Sequence, residues 1–411
     1  MQDPLRARRI VLGVTGSIAA YKAVDLASKL AQAGASVETV LTEAALRFVT
    51  PLSFQSVTGQ AAYTDADLWG AEAHVLHIGL GQHADLLVIA PITAQTMAKL
   101  ANGLADNLLS LTALAARCPM VIAPAMDAGM FAHPATRDNL RTLQERGIVA
   151  VGPEEGHLAS GLVAKGRMSE PLAILDHIRY LLSRSGPLHE RKVVVTAGGT
   201  QEPLDPVRFL TNRSSGKQGL ALARAAMEAG ADVILVATPV VDRAPAGVEL
   251  VRVRTAAEMA AAVLDACQDA DALIMAAAVA DFRPAREALQ KIKKTEGPEQ
   301  LPLERTRDIL TAVGELREQS GFPRIVVGFA AETEDLLRNA RKKLREKGLD
   351  LIAANDITAR DAGFAADTNR VTLLDSAGGE ESLPLLDKLE VAREIIDRLV
   401  SRLTPEEEAG T

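Results

Sequence analysis

Short apolar runs alternate with amphipathic stretches from near the start of the chain. Residues 9–14 (RIVLGV) read as a strand, 17–33 as a helix ending at Gly34, and 36–41 as a second strand. Further on, 85–90 reads as a buried strand before a helix over 94–101, and 120–123 as another strand. Strands that are apolar throughout need cover on both faces, which parallel sheets with crossover helices provide. The pattern lapses over 182–189 in a Ser/Gly/Pro stretch and restarts with a strand at 192–197. Strands over 232–237, 272–277, 324–329 and 350–353 follow, and the clearest helices are 256–267 and 334–347. This spacing predicts an α/β protein of two doubly wound, Rossmann- or flavodoxin-like domains with mostly parallel sheets. Their expected extents are 1–185 and 191–403, with a linker at 186–190 and a polar tail at 404–411.

A length of 411 residues agrees with two cores, not one. Only 3% of residues are aromatic against 48% hydrophobic, so the cores must be built from Ala, Val, Leu and Ile. Lys and Arg number 45 against 53 Asp and Glu, a net charge of −8. An acidic chain with no long basic run is poorly suited to gripping nucleic acid or an anionic membrane. Its apolar runs fall short of the roughly 20 residues that span a bilayer, and the N-terminal run reads as a first strand, not a signal peptide. Cys118 and Cys267 offer neither a disulfide framework nor zinc spacing, which suits a reducing cytoplasm.

In the first half, 13–22 reads GVTGSIAAYK, a strand-to-helix turn with Gly13 and Gly16. Backbone amides at such a helix start can hold a phosphate, with Ser17 adding a hydroxyl, or the glycines can simply serve a tight turn. Neither GxGxxG nor a Walker loop is present. Thr42 follows the second strand, APITAQT (90–96) the next long strand, and PAMDAGMF (124–131) another. Ligands of doubly wound folds bind at such carboxyl ends. His77 can act as a base near neutral pH, or it can be an ordinary packing histidine. His74, His77 and His83 lack a matching carboxylate or cysteine spacing for a metal.

In order and spacing, 13–22, 77–80, 91–96 and 124–131 resemble the flavin-dependent cysteine decarboxylases, in particular phosphopantothenoylcysteine decarboxylase, over residues 9 to about 182. The resemblance implies FMN, held by Gly16, Ser17, Ile18, Thr42, Pro91, Thr93, Thr96 and Met126, with His77 as base. Removing carbon dioxide from an unactivated cysteine carboxylate needs an electron sink, which a flavin supplies and side chains do not. Two departures from the family pattern matter most. Asp127 stands where the family has an Asn implied to hold the substrate carboxylate. Like charges about 4 Å apart repel by about 1 kcal/mol in water and about 4 kcal/mol at an effective dielectric of about 20. To keep that role Asp127 must be protonated, turned away or countered by a cation. Ser160, in LASGLVAKGRM (158–168), stands where the family has the cysteine that donates a proton in the final reduction. A hydroxyl is a far weaker acid than a thiol of pKa about 8.5. Gln95 and Phe131 also replace the usual Asn and Trp.

In the second half, TAGGTQEPLDPVRFL (196–210) runs into TNRSSGK (211–217). The stretches AAAVADFR (276–283), KIKK (291–294), GFAAET (328–333) and AND (354–356) follow. This series resembles phosphopantothenate–cysteine ligase over residues 191 to about 402. The resemblance implies a nucleoside triphosphate, CTP in bacterial relatives, with Mg2+ offsetting the phosphate charge. The carboxylate would be activated as an acyl-cytidylate and the cysteine amine would displace CMP. Lys291 is implied in forming the acyl-nucleotide, Asn212 in amine transfer, and Arg208 in holding the intermediate. Ala277, Asp281, Asp308, Ile309, Leu310, Phe329, Lys343 and Lys347 match nucleotide-binding positions, though Arg307 replaces the usual proline. Read without the resemblance, the KIKK stretch is a solvated charge run, and Lys343 and Lys347 are helix-surface lysines one turn apart.

The expected partners are therefore small molecules: 4'-phosphopantothenate, cysteine, CTP and phosphopantothenoylcysteine. The resemblance also implies a homo-oligomer of trimeric decarboxylase and dimeric ligase domains. A rival expectation is a flavin-binding regulatory or scaffold protein whose first domain has lost turnover through Ser160 and Asp127. An NAD-dependent oxidoreductase is disfavoured because neither half has GxGxxG followed by an acidic residue about 20 positions on.

Overall fold

A computed structural model of the chain describes residues 3–69, 75–293, 300–332, 335–356 and 366–404. His74, Lys294, Thr333 and the tail over 405–411 lie outside them. The chain divides into two compact units, Gln2–Leu182 and Ser183–Thr411.

In the first unit the strands are β1 (Arg9–Val14), β2 (Ser36–Leu41), β3 (Ala62–Tyr63), β4 (Leu86–Ile92), β5 (Met120–Pro124) and β6 (Val149–Ala150). They lie side by side as β3-β2-β1-β4-β5-β6, all parallel. This is the doubly wound order with its reversal between β1 and β4. The helices are α1 (Ala20–Gln32), α2 (Pro51–Thr58), α3 (Leu76–His83), α4 (Ala94–Asn102), α5 (Leu108–Ala115), α6 (Ala128–Ala132), α7 (Pro134–Glu145) and α8 (Pro171–Ser183). Successive strand side chains point to opposite faces. Leu86, Val88 and Ala90 pack with Leu26, Leu30 and Ile178, whereas Leu87 and Ile89 pack with Met97, Leu108 and Leu109. Each fully buried aliphatic side chain contributes about 1.5–3 kcal/mol. A hairpin of β7 (Glu154–His157) and β8 (Val163–Arg167) stands apart from the sheet, with Ser160 in its loop.

The second unit repeats the plan. Its sheet strands are β9 (Lys192–Ala197), β12 (Asp232–Ala237), β13 (Glu249–Arg252), β14 (Ala272–Met275), β17 (Ile325–Glu332), β18 (Leu351–Asp356), β20 (Val371–Asp375) and β21 (Glu380–Ser382). Two-stranded pairs are made by β10 (Gln201–Pro203) with β11 (Phe209–Thr211), β15 (Phe282–Pro284) with β16 (Leu303–Arg305), and β19 (Thr368–Asn369) with β22 (Leu386–Asp387). The sheet order is β13-β12-β9-β14-β17-β18-β20-β21, parallel except that β20 runs antiparallel to both its neighbours, β18 and β21. The helices are α9 (Lys217–Glu228), α10 (Ala256–Ala266), α11 (Ile309–Ser320), α12 (Leu336–Glu346) and α13 (Lys388–Leu403). Val194 and Leu273 pack against Met259, Val263 and Val313 on one face.

Several boundaries differ from the sequence expectation. The first helix starts at Ala20, not at residue 17, because Ser17 is tied into a turn: its Oγ accepts from the Ala19 amide at 3.3 Å and its carbonyl from Ala20 at 2.9 Å. The strand expected to end at 90 runs on through Ile92. Residues 186–190 are not a free linker. Leu188 is completely buried and its amide donates to Ala229 O at 2.8 Å, so the stretch belongs to the second unit.

Candidate functional site

At the reversal between β1 and β4 the first unit encloses a cavity of about 600 Å³. One wall is the turn after β1, with Gly16, Ser17, Ile18 and Ala19. Others are Thr93 and Ala94 at the start of α4, Met126 and Asp127 after β5, and the hairpin residues 157–160. Thr15 pins the two strand ends together: its Oγ1 donates to Pro91 O at 2.8 Å and accepts from the Thr93 amide at 3.0 Å. Gly16 is required by space, since a Cβ there would lie 2.5 Å from Ala44 Cβ and 3.0 Å from its backbone carbon. Among the described residues the Gly16 and Ile18 amides have no protein acceptor, so both are available to an anionic group.

Asp127 caps α6, accepting from the Gly129 amide at 2.9 Å, and its other oxygen accepts from Ser160 Oγ at 2.7 Å. The Ser160 hydroxyl first, and the Gly129 amide after it, hold this carboxyl below its ordinary range. Asp127 is therefore ionised at neutral pH without a cation. A buried lysine, Lys22, also lines the cavity; its Nζ donates to Met168 O at 3.2 Å and Glu170 Oε1 at 3.0 Å. Glu170 in turn pairs with Arg167.

Of the expected residues, Gly16, Ser17, Ile18, Thr93, Met126, Asp127 and Ser160 meet at this cavity. Thr42, Pro91 and Thr96 do not line it. Thr42 is buried with its amide on Val14 O at 3.1 Å, and Thr96 sits beneath the Thr93 cap. His77, on α3, does not line it either; its Nδ1 is buried with no partner among the described residues.

In the second unit the expected residues are distributed over the β10–β11 hairpin, the segment between β14 and α11, β17 and α12. Arg208 lies in the β10–β11 turn, where Nε and Nη2 donate to Asp205 Oδ2 at 2.9 and 2.6 Å. Asn212 follows β11, and its Nδ2 donates to Val279 O at 3.0 Å. Ala277 donates its amide to Thr196 Oγ1 at 3.0 Å, and the exposed Asp281 receives the Thr306 amide on its carbonyl at 3.0 Å. Asp308 caps α11, accepting from the Thr311 amide at 3.0 Å, and pairs with Lys347 Nζ at 2.7 Å. Ile309 and Leu310 are buried core, so only their backbone can face a ligand. Lys343 Nζ donates to Phe329 O at 2.8 Å. Lys291 is exposed, beside Ile292, whose amide also bonds Asp205. A Gly-rich turn holds the ends of β9 and β11 close: a Cβ on Gly199 would lie 2.6 Å from Asn212 O. Among the described residues no group of three His, Cys, Asp or Glu could hold a metal.

Residues 1–183 match the Flavoprotein family, and 188–403 match the DNA/pantothenate metabolism flavoprotein C-terminal domain. The chain is 46% identical over 400 residues to the coenzyme A biosynthesis bifunctional protein CoaBC of Bacillus subtilis (strain 168), covering 97% of this chain and 98% of that one. It is 45% identical over 410 residues to its namesake in Mycobacterium tuberculosis (strain ATCC 25618 / H37Rv), covering 96% and 97%. The chain belongs to the coenzyme A biosynthesis bifunctional proteins. A solved structure, the C-terminal domain of such a protein, is 40% identical, covering 54% of this chain and all of its own, with a TM-score of 0.46.

As a member of this family the chain is a bifunctional enzyme of coenzyme A biosynthesis, a flavoprotein decarboxylase joined to a ligase. The match across both halves does not favour the regulatory or scaffold alternative. In the decarboxylase half, sequence reasoning singled out neither Lys22 nor Arg167 as site residues, although both line the cavity. The one readable signal was a lysine on the apolar face of α1; its partners lie about 150 residues away, at Met168 and Glu170. Asp205 was also missed, inside a motif read for its arginine.

Proposed function

We propose that the first unit binds FMN in the 600 Å³ cavity and decarboxylates phosphopantothenoylcysteine to 4'-phosphopantetheine. The second unit makes that substrate from 4'-phosphopantothenate and cysteine with CTP and Mg2+. The observation that carries the first half is the cradle at the β1–β4 reversal. Unpaired Gly16 and Ile18 amides and the Ser17 hydroxyl suit a phosphate, and Met126 and the 157–160 loop suit a flat ring. When bound, the flavin supplies the electron sink that decarboxylation needs. Thr93 and Thr15 hold the strand ends, and Lys22 ties the segment after β8 to α1. Thr42 and Pro91 bond the end of β1 and the residue after it, through Val14 O and Thr15, and Thr96 bonds Thr93.

His77 is the base in this reading. Because it does not line its own chain's cavity, the reading requires a homo-oligomer in which a second copy completes the site. In the ligase half, Lys291 offsets charge as the acyl-cytidylate forms, Arg208 holds that intermediate, and Asn212 hydrogen-bonds it during amine transfer. Ala277, Asp281, Asp308–Leu310, Phe329, Lys343 and Lys347 frame the nucleotide. All substrates are soluble small molecules, and the described helices include none long and apolar enough to cross a membrane; the reading places the enzyme in the cytoplasm.

The test is incubation with phosphopantothenate, cysteine, CTP and Mg2+, followed by mass spectrometry. CMP, carbon dioxide and a saturated thiol are expected. Absence of both CMP and the cysteine conjugate defeats the ligase reading. Protein that retains no flavin after reconstitution defeats the decarboxylase reading.

A further inference from the structure

The side chain of Asp205 is completely buried, yet every group it touches belongs to loops expected to carry substrate. Its two oxygens do separate work. Oδ1 accepts from the amides of Val207 at 2.9 Å and Arg208 at 2.8 Å, bonds that stay within the β10–β11 turn. Oδ2 accepts from Arg208 Nε at 2.9 Å, Arg208 Nη2 at 2.6 Å and the Ile292 amide at 3.2 Å. Arg208 Nη2 also donates to Ile292 O at 3.0 Å, and the Ala288 amide donates to Leu204 O at 3.0 Å. One carboxylate oxygen thus fastens a segment more than 80 residues away to the arginine loop. Arg208 keeps 46% of its side chain exposed, free to meet an anionic ligand while anchored from behind.

We propose that Asp205 is a positioning residue of the ligase: through Oδ2 it locks Arg208 and the 288–292 segment into one frame and so fixes Lys291 opposite Arg208. The proposal rests on the ligase reading above. Of the bonds that cross to the 288–292 segment, Ile292 N–H to the Asp205 carboxylate and Arg208 Nη2 to Ile292 O each involve a charged group, which makes them stronger than the neutral Ala288–Leu204 bond. Arg208 holds the Asp205 carboxyl far below its ordinary range, so the clamp stays charged wherever the enzyme works. Asn212 follows the same hairpin and bonds Val279 O, so the hairpin links the positions implied for both half-reactions. A small displacement of Lys291 would be felt in the rate, since misplacing a reacting group by about 1 Å can cost about 100-fold.

Asp205→Asn separates the two oxygens' roles. An amide oxygen in the Oδ1 position still caps Val207 and Arg208, whereas the NH2 group cannot accept from Arg208 or Ile292. The experiment uses the full chain and two measurements. One is single-turnover pyrophosphate release from CTP and phosphopantothenate without cysteine; the other is amide hydrogen exchange at Ile292. For D205N, release is expected to slow on the order of 10- to 100-fold with KM for CTP held within about threefold. Ile292 exchange should quicken by about tenfold or more while β9 stays protected. D205E, which retains the carboxylate, should recover part of the rate. Unchanged exchange at Ile292 or a wild-type release rate overturns the proposal. Should D205N fail to fold, Ile292→Pro removes the donor from the other end, and a wild-type rate there overturns it equally. A wild-type protein releasing no pyrophosphate defeats the ligase reading itself. An active wild type beside an equally fast D205N defeats only the role given to Asp205.

Discussion

Ser160 donates its hydroxyl to Asp127 across 2.7 Å, so two of the positions at which the decarboxylase half departs from its family meet each other in the cavity wall. The bond keeps Asp127 ionised where a substrate carboxylate is expected, and repulsion at about 4 Å amounts to about 1 kcal/mol even in bulk water. Asp127→Asn removes the charge while its amide oxygen can still accept from Ser160. KM for phosphopantothenoylcysteine is therefore expected to fall at least about fivefold, read from carbon dioxide release against substrate concentration. An unchanged KM would place the carboxylate elsewhere. Ser160→Cys supplies a donor of pKa about 8.5 and should raise the share of saturated thiol over the enethiol two mass units lighter.

Gly16 offers a test of the cradle that does not depend on turnover. A Cβ at this position meets Ala44 Cβ at 2.5 Å and backbone carbon at 3.0 Å, and backbone cannot swing aside as a side-chain tip does. Gly16→Ala should displace the turn carrying the Gly16 and Ile18 amides. At about 1–3 kcal/mol for overpacking, flavin affinity should weaken roughly 5- to 150-fold in a fluorescence titration. Affinity equal to wild type would show that these amides do not hold the phosphate.

The parts of this molecule that were readable in sequence are those decided locally. Arg9–Val14, Lys192–Ala197 and Asp232–Ala237 have the boundaries their apolar runs predict, because a buried parallel strand must be apolar along most of its length, and Ser36–Leu41 keeps its boundaries although Glu38 and Thr39 interrupt its run. Gly13–Lys22 was legible as a turn for the same reason. What sequence left open was decided by pairs far apart along the chain. The charge on Asp127 allowed protonation, rotation or a cation; the structure supplies a hydroxyl 33 residues on. Leu188 looked like linker because its neighbours are polar, but its burial is set by Ala229. The antiparallel pairing of β20 has no distinct local signature, since Val371, Leu373 and Leu374 are buried like the residues of any inner strand.

Lys22 should matter to both stability and flavin retention. It is 7% exposed, and its ammonium bridges Met168 O and Glu170, joining α1 to the segment between the hairpin and α8. Lys22→Met keeps the stem's packing but leaves a buried carbonyl unpaired, at a cost of about 1–3 kcal/mol. Glu170 is half exposed, so its share of the ion pair adds little. Thermal unfolding should show the loss, and bound flavin should dissociate faster on dilution. A variant as stable as wild type with the same flavin off-rate would remove Lys22 from this account.

Lys347 and Asp308 give a pH signature in the ligase half. Burial alone pushes the Asp308 carboxyl up, but the bond and charge of Lys347, with the Thr311 amide, outweigh it and leave it below its ordinary value. A depressed carboxyl lends stability that is in place above the unfolded pKa of about 3.9 and fades as pH falls through the folded value. Lys347→Met removes the ammonium, so the carboxyl moves up and the α11 cap is lost at a higher pH. The pair is half exposed on the Asp308 side, which limits its worth to about 0.2–1 kcal/mol. Urea unfolding should therefore show a gap of that size between wild type and K347M at about pH 7, narrowing as pH falls below the unfolded carboxyl's pKa of about 3.9 and through the lower folded one. A gap of the same size across this range would mean that Lys347 stabilises α11 by packing and not through the charge on Asp308.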